Sequence, residues 1–357
     1  MILTYKYRLK DRSAARVLRR HAIAVNQVWN WCVAQQRDVE SRYRAGAKPR
    51  RWASQFDLQK QCKGLGKVLG IHQQTVGEVC RQFVVSRTKL RHAPRFRSSF
   101  GAKRSLGWIP FQQQSRQLDG NAVVYLGQRM RWFGNKRRPL PENAKGGAFV
   151  EDTRRWHVCF QVDVETLPTG NGEIGIDLGL KTLATLSDGN KIENPAHFRC
   201  LEEKLAVAQR SGNKRRVRAI HARIRNARHD HLHKASTRLA RENALIVVGN
   251  VDSTKLARTP MAKSVLDAGW STFRAMLSYK ASRHSASLLE VDESFTTVTC
   301  SACLARGGPQ GQKGLRMRAW DCPDCGTRHD RDVNAARNIL RLGRSAPPPV
   351  EESRHGR

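Results

Sequence analysis

Residues Thr299–Leu340 read TCSACLARGGPQGQKGLRMRAWDCPDCGTRHDRDVNAARNIL. Two Cys-x-x-Cys pairs, Cys300/Cys303 and Cys322/Cys325, stand 18 residues apart. That is the spacing of a four-thiolate zinc ribbon, in which each pair forms a knuckle and both knuckles share one tetrahedral ion. Acids flank the ribbon, Glu293 before it and Asp330 and Asp332 after it. A zinc module set between carboxylates points to a clip inserted beside an active site. Because most such ribbons are purely structural, the elements around it must decide its role.

Moving outward, a strand at Leu288–Asp292 precedes the ribbon and a helix starts near Asp332. Further back lie a helix from about Ala262 to His284, a buried strand at Leu245–Val248, and residues 201–241. That last segment carries twelve Lys/Arg and three acids at helical spacing. A phosphate-tracking helix pair accounts for it better than a merely solvated face. Glu173–Asp188, EIGIDLGLKTLATLSD, is a β-hairpin in which Ile174 and Ile176 lead into Asp177 and Leu183–Leu186 returns. The order β-β-β-α-β-α-β-(zinc)-α fits an RNase H-like α/β layer. Three strands pair antiparallel, and later strands add in parallel through helical crossovers. The strand ends near Asp177, Val248 and Asp292 then fall on one edge, where open α/β sheets place their sites. Carboxylates gathered there repel one another unless cations neutralise them. Two Mg²⁺ ions roughly 4 Å apart would do so, and would clamp the attacking water and leaving oxygen of a phosphodiester. Taken singly, Asp177 reads as turn chemistry and Asp332 as a helix cap.

The first half has a different grain. Residues 1–10 alternate as a strand. Ser13–Tyr43 switches to helical period, with Asp11 or Ser13 as its cap and Trp29 and Trp31 expected in the core ahead of stacking on bases. Phe56–Leu69 and Ile71–Leu90 read as two more helices. From Arg81 to Arg104 there are eight Lys/Arg and no acid, with Phe83, Phe96 and Phe100 interleaved. That pattern suits a single-stranded or hybrid nucleic-acid groove, and equally a solvated basic loop. Residues 108–164 carry short alternating runs that form a small β-barrel. The opening strand joins it, which leaves the helices as an insertion.

The chain has 357 residues and a formal charge of +35, from 65 Lys+Arg against 30 Asp+Glu. Such an excess calls for a polyanionic partner. No apolar run reaches membrane-span length, and MILTYKYRLK is unlike a signal peptide, so nucleic acid is the expected partner and no membrane is. Five cysteines scattered singly, with four more claimed by zinc, imply a reducing cytoplasm. The tail SAPPPVEESRHGR is expected to be disordered.

GIDLGLKTLATLSDG, IENPAHFR, LHKASTRLARENALIVV, AGWSTFRAMLSYK, TCSAC, CPDCG and HDRDVNAARNIL resemble TnpB, the transposon-encoded RNA-guided DNA nuclease of IS200/IS605 elements. TnpB is related to the type V CRISPR effectors (Cas12). The resemblance runs from TYKYRL and VWNWCV to Ile339. It implies a wedge-like β-barrel (1–10 and 94–168) interrupted by a helical recognition lobe (11–93). A RuvC-like nuclease domain (169–296 and 328–343) follows, with a zinc ribbon (297–327) and a disordered tail (344–357). It also implies structural Zn²⁺ on the four cysteines, catalytic Mg²⁺, and a guide RNA from the transposon end or a CRISPR-like RNA. The target would be double-stranded DNA cut next to a short adjacent motif, by a monomer acting at the bacterial nucleoid.

Two departures matter. Where the family has a Glu after the apolar strand, this chain reads Val247-Val248-Gly249-Asn250, so one of three acids is displaced. Leu304 replaces the Gly expected after the first knuckle. The expected catalytic and Mg²⁺-binding set is therefore Asp177, Asp332 and Glu293. Glu293 follows a strand predicted to lie about 4.8 Å from the one ending at Val248, a step its side chain can span. Some family members resemble this arrangement, with the Glu moved to just before the first knuckle. Asp252 and Glu290 compete for the role, Asp292 less so because alternation turns it away. The alternatives to a nuclease are a guided binder that has lost cleavage, acting as a repressor, and an architectural zinc-ribbon protein.

Overall fold

The computed structural model describes residues 1–11, 13–46, 52–101, 103–134, 139–152, 155–251, 261–314 and 317–346. The chain divides into two compact units, Met1–Val164 and Glu165–Arg357.

In the first unit, strand β1 (Ile2–Arg8) pairs antiparallel with β7 (Arg155–Asp163), Tyr5 opposite Phe160. Its strict alternation sends Leu3, Tyr5 and Tyr7 inward. The sheet order is β1-β7-β6-β2, with β2 at Trp108–Phe111 and β6 at Ala144–Asp152. A second, three-stranded sheet holds β3 (Gln117–Asp119), β4 (Ala122–Tyr125) and β5 (Gln128–Arg131). The two sheets meet at one bridge, Leu9 to Trp132, and share a core in which Phe111, Tyr125 and Phe149 lie 5.1–6.3 Å apart, centroid to centroid.

Helices α1 (Ala14–Arg44), α2 (Gln55–Gln61), α3 (Leu65–Leu69) and α4 (Gln73–Leu90) are inserted between β1 and β2. The segment 56–69, expected as one helix, is two. The chain turns at Gly64, whose φ of 86° only glycine adopts without strain. Neither expected cap bonds the start of α1: Ser13 makes no side-chain cap bond, and the Asp11 carboxylate accepts from Arg131 N at 2.8 Å. Trp29 is buried edge-on to Phe83, its indole N–H donating to Arg95 O. Phe83, read as part of a basic-aromatic surface, thus belongs to the core, whereas Phe96 and Phe100 are exposed.

In the second unit a five-stranded sheet has the order β10-β9-β8-β11-β12. Strands β8 (Gly172–Leu178), β9 (Thr182–Leu186) and β10 (Lys191–Glu193) run antiparallel. Strand β11 (Asn243–Gly249) lies parallel to β8 on one side and to β12 (Ser287–Val291) on the other. Helices α5 (Glu202–Arg210) and α6 (Lys214–Glu242) cross from β10 to β11; α7 (Ala262–Ala268) and α8 (Trp270–Arg283) precede β12. This is the strand-and-helix order read from the sequence, except that the helix expected from about Ala262 to His284 is two, broken at Gly269, whose φ is 71°.

Alternation along β8 and β11 builds two faces. Ile174, Ile176, Ile246 and Val248 pack with Leu232, Leu239, Phe273 and Leu277 of α6 and α8. Val247, Leu289 and Val291 pack with Ile339 and Leu340 of the last helix, α9 (Arg331–Ser345). Two glycines let α9 press onto the sheet. A Cβ on Gly175 would stand 2.1 Å from Ala336 O, and one on Gly343 would stand 2.3 Å from Val247 Cγ2. α9 runs through Ser345, so the expected tail begins within it, and residues 347–357 lie outside the described residues.

Candidate active site and four-cysteine centre

The alternation that sends Ile174, Ile176 and Leu178 to the α6/α8 face turns Asp177 toward α9. Asp332 lies in the first turn of α9. Its neighbour Asp330 is the helix cap, its carboxylate accepting from Asp332 N at 2.9 Å and Val333 N at 3.1 Å, with Lys191 Nζ at 3.0 Å. Burial pushes the Asp330 carboxyl up, but those bonds outweigh it and hold the group below the usual carboxylate range. The capping role thus falls to Asp330 and leaves the Asp332 carboxylate free of it.

Gly249 ends β11 opposite Val291 of β12, and Asn250 N continues the pairing to Val291 O at 2.9 Å. Two residues past Val291, Glu293 folds back over the glycine. A Cβ built on Gly249 would stand 2.6 Å from Glu293 Oε2 and 3.2 Å from Glu293 Cβ. The Glu293 carboxylate thus fills the space that a side chain at 249 would occupy. Asn250 Oδ1 accepts from Glu293 N at 3.4 Å.

Asp177 feels the other two acids. Burial, then the charges of Asp332 and Glu293, push Asp177 up to about 8, opposed by Arg331. Glu293 is raised chiefly by burial, with Arg274 opposing. Raised carboxyls on a shared edge mark a place where a cation would be stabilised.

The competing acids sit elsewhere. Glu290 is exposed and pairs with Arg274 at 3.8 Å. Asp292 is exposed, its Oδ1 accepting from the Ser294 amide and hydroxyl at 3.1 and 2.8 Å, which is turn chemistry. Asp252 lies outside the described residues.

The thiols of Cys300, Cys303, Cys322 and Cys325 all lie within 4.8 Å of one another. Among the described residues no other set of three or more metal-binding side chains converges to this degree, the three carboxylates included. Amides of Ala302 and Cys303 point at Cys300 Sγ from 3.4 and 3.5 Å, and strands β13 (Ala319–Asp321) and β14 (Arg328–Asp330) close the second knuckle. Four thiols, two of them buried, with amides aimed at sulfur, fit a tetrahedral zinc ion. Leu304 takes a left-handed φ of 68°, as Gly326 does at 70° in the other knuckle, so a glycine at 304 would meet a conformational demand.

Several supports had no reading in the sequence. Buried Asn334 and Asn338 of α9 both donate to Thr296 O and Thr299 O, and Asn334 Oδ1 accepts from Ser301 N. They tie α9 to the segment between Glu293 and the first knuckle. His329 is buried with Nε2 3.1 Å from Cys300 Sγ, stacked on Trp320. Their place in HDRDVNAARN was the available signal. Arg318, whose guanidinium reaches the Asp332 carboxylate at 3.3 Å, gave none.

Residues 157–259 match the family described as "Probable transposase", and residues 270–339 the family described as "Cas12f1-like, TNB domain". A protein of Streptomyces pristinaespiralis named "Putative RNA-guided DNA endonuclease" is 38% identical over 308 residues, 75% of each chain. An Escherichia coli K12 protein, "Putative RNA-guided DNA endonuclease InsQ", is 26% identical over 269 residues, 66% of each. A solved Cas12f1–sgRNA–target DNA complex contains a chain that aligns over 95% of this one and 99% of its own, with 14% identity and a TM-score of 0.39. The chain belongs to the TnpB family.

Proposed function

We propose that this chain is an RNA-guided endonuclease that cuts double-stranded DNA beside a short adjacent motif. Asp177, Glu293 and Asp332 would hold the catalytic divalent cations on an RNase H-like, RuvC-type sheet. The observation that carries the reading is the position of Glu293. Its carboxylate fills the space over Gly249 and acts on Asp177 together with Asp332. An acid displaced in sequence would thereby be restored in space.

Mg²⁺ bound there would activate the attacking water and neutralise charge on the leaving oxygen. The chain's own work is to hold three carboxylates on one edge. Asp177 is fixed by strand β8, Asp332 by the capped start of α9, and Glu293 by Asn250 and the Asn334/Asn338 anchor. The four cysteines would hold one structural Zn²⁺, and the ribbon keeps the loop leading to Asp332 in place. The +35 charge, the exposed basic residues of α6 and the exposed Phe96 and Phe100 support a guide RNA and a DNA strand as partners.

A second reading, guided DNA binding without cleavage, draws support from Gly249 and from the carboxylates' looser spacing relative to the thiols. Incubating the purified ribonucleoprotein with a matching plasmid, with and without Mg²⁺, separates the two. Mg²⁺-dependent linearisation supports the nuclease; stable guided binding with intact plasmid at every Mg²⁺ concentration leaves only the binder.

A further inference from the structure

An arginine bears on each carboxylate of the candidate site, and for Asp332 it is in contact. Arg331 acts on Asp177, Arg274 acts on Glu293, and Arg318 pairs with Asp332, its Nη1 at 3.4 Å from Oδ1 and 3.3 Å from Oδ2. The protein itself thus places cationic side chains around its candidate metal ligands. The arginines differ in their freedom. Arg274 has a side chain only 17% exposed and also serves Glu290. Arg331 Nη1 donates to Gly314 O at 3.1 Å. The Arg318 side chain is 59% exposed, and among the described residues Asp332 is the acceptor its guanidinium meets. Its backbone stands at the entry to β13, where Arg318 O accepts from Arg331 N at 2.8 Å. The guanidinium is therefore held near Asp332 by the ribbon arm, and its side chain is the part that can swing away.

We propose that Arg318 is a stand-in cation for Asp332, carried by the four-cysteine arm, which must leave the carboxylate before a divalent cation takes full hold there. This deepens the proposed function and rests on Asp332 being a metal ligand. The arm then sets how readily the site loads its metal, in addition to shaping the loop. A guanidinium and a divalent cation cannot both occupy the same carboxylate oxygens at full strength, because each repels the other across a few ångströms. An exposed ion pair is weak, so its competition is worth about a two- to fivefold change in metal affinity.

The test is Mn²⁺ binding, read by electron paramagnetic resonance, on the full zinc-loaded chain freed of nucleic acid. R318Q should bind Mn²⁺ about two- to fivefold more tightly than the parent, R318K should match the parent, and adding R318Q to Asp332→Asn should change nothing. Unchanged zinc content and melting midpoint in R318Q exclude a merely structural effect. Equal affinity in parent and R318Q, or an equal gain in the Asp332→Asn background, overturns the inference. A cleavage arm separates this from the reading beneath it. If the parent never cuts but R318Q still gains Mn²⁺ affinity, the nuclease reading fails and the Arg318 inference stands. If the parent cuts and R318Q has the same half-activating Mg²⁺ concentration, the inference fails and the nuclease stands.

Discussion

Placing an acid at position 249, where the resemblance to TnpB leads one to expect it, should inactivate this chain. In Gly249→Glu the new Cβ would start 2.6 Å from Glu293 Oε2, 3.2 Å from Glu293 Cβ and 3.3 Å from Ile339 Cδ1. The carboxylate tip can rotate away, but Glu293 Cβ and Ile339 are fixed by the backbone and the α9 core. Two carboxylates about 4 Å apart also repel by roughly 1–4 kcal/mol, between the limits for water and for a protein surface. Without divalent cations the variant should melt lower by roughly 2–4 °C for each kcal/mol, given a unit of this size. A 1 Å displacement of Glu293 should slow cleavage about 100-fold. Glu293→Ala alone should also be defective. Combining it with Gly249→Glu removes the clash and returns one acid to the same space, so cleavage should recover to within about tenfold of the parent. Single-turnover cutting of a guide-matched duplex, with melting curves for all four proteins, measures this. If Gly249→Glu alone is as active and stable as the parent, the two positions do not share space and the reasoning fails. A double variant no better than Glu293→Ala would refute it equally.

Three further outcomes follow from the same geometry. Cys322→Ser should release zinc and slow cleavage by loosening the arm that leads to Asp332; metal analysis beside the cleavage assay checks it, and full activity without zinc would contradict the arm's role. Leu304→Gly should stabilise the first knuckle by about 1 kcal/mol, because it relieves a left-handed φ of 68°, and should show as slower zinc loss to a chelator. In Mg²⁺-free buffer, Asp177, raised to about 8, contributes stability below pH 4 that is lost as pH rises toward 8; the melting midpoint should fall across that window, and Asp177→Asn should flatten the fall.

The second unit was legible because its signals were local and regular. The β8–β9 hairpin, the apolar run of β11 and the paired cysteines each carry their own period or spacing, and strand order follows once the crossovers are recognised. The closeness of Glu293 to Gly249 was reachable by counting, since a parallel neighbour brings a residue just past β12 level with the end of β11. The misses share a different physics. The break at Gly64 depends on one backbone angle inside an otherwise helical pattern. Asp11 bonds a strand 120 residues away instead of the helix beside it. Phe83 sits in a basic run yet faces inward, because α4 needs that side to cover Trp29. Arg318 pairs with Asp332 through a hairpin folded by the cysteines, and an exposed ion pair leaves no periodic trace.

The central claim is that Asp177, Glu293 and Asp332 form one cation site. Crystals of the chain grown with Mn²⁺, or soaked in it, carry an anomalous signal that locates the ion directly. The account predicts a Mn²⁺ peak within coordinating distance of carboxylate oxygens from all three residues, with Glu293 as a ligand above Gly249. A peak held by Glu290 or Asp292 in place of Glu293, or no peak between Asp177 and Asp332 at saturating Mn²⁺, would contradict it.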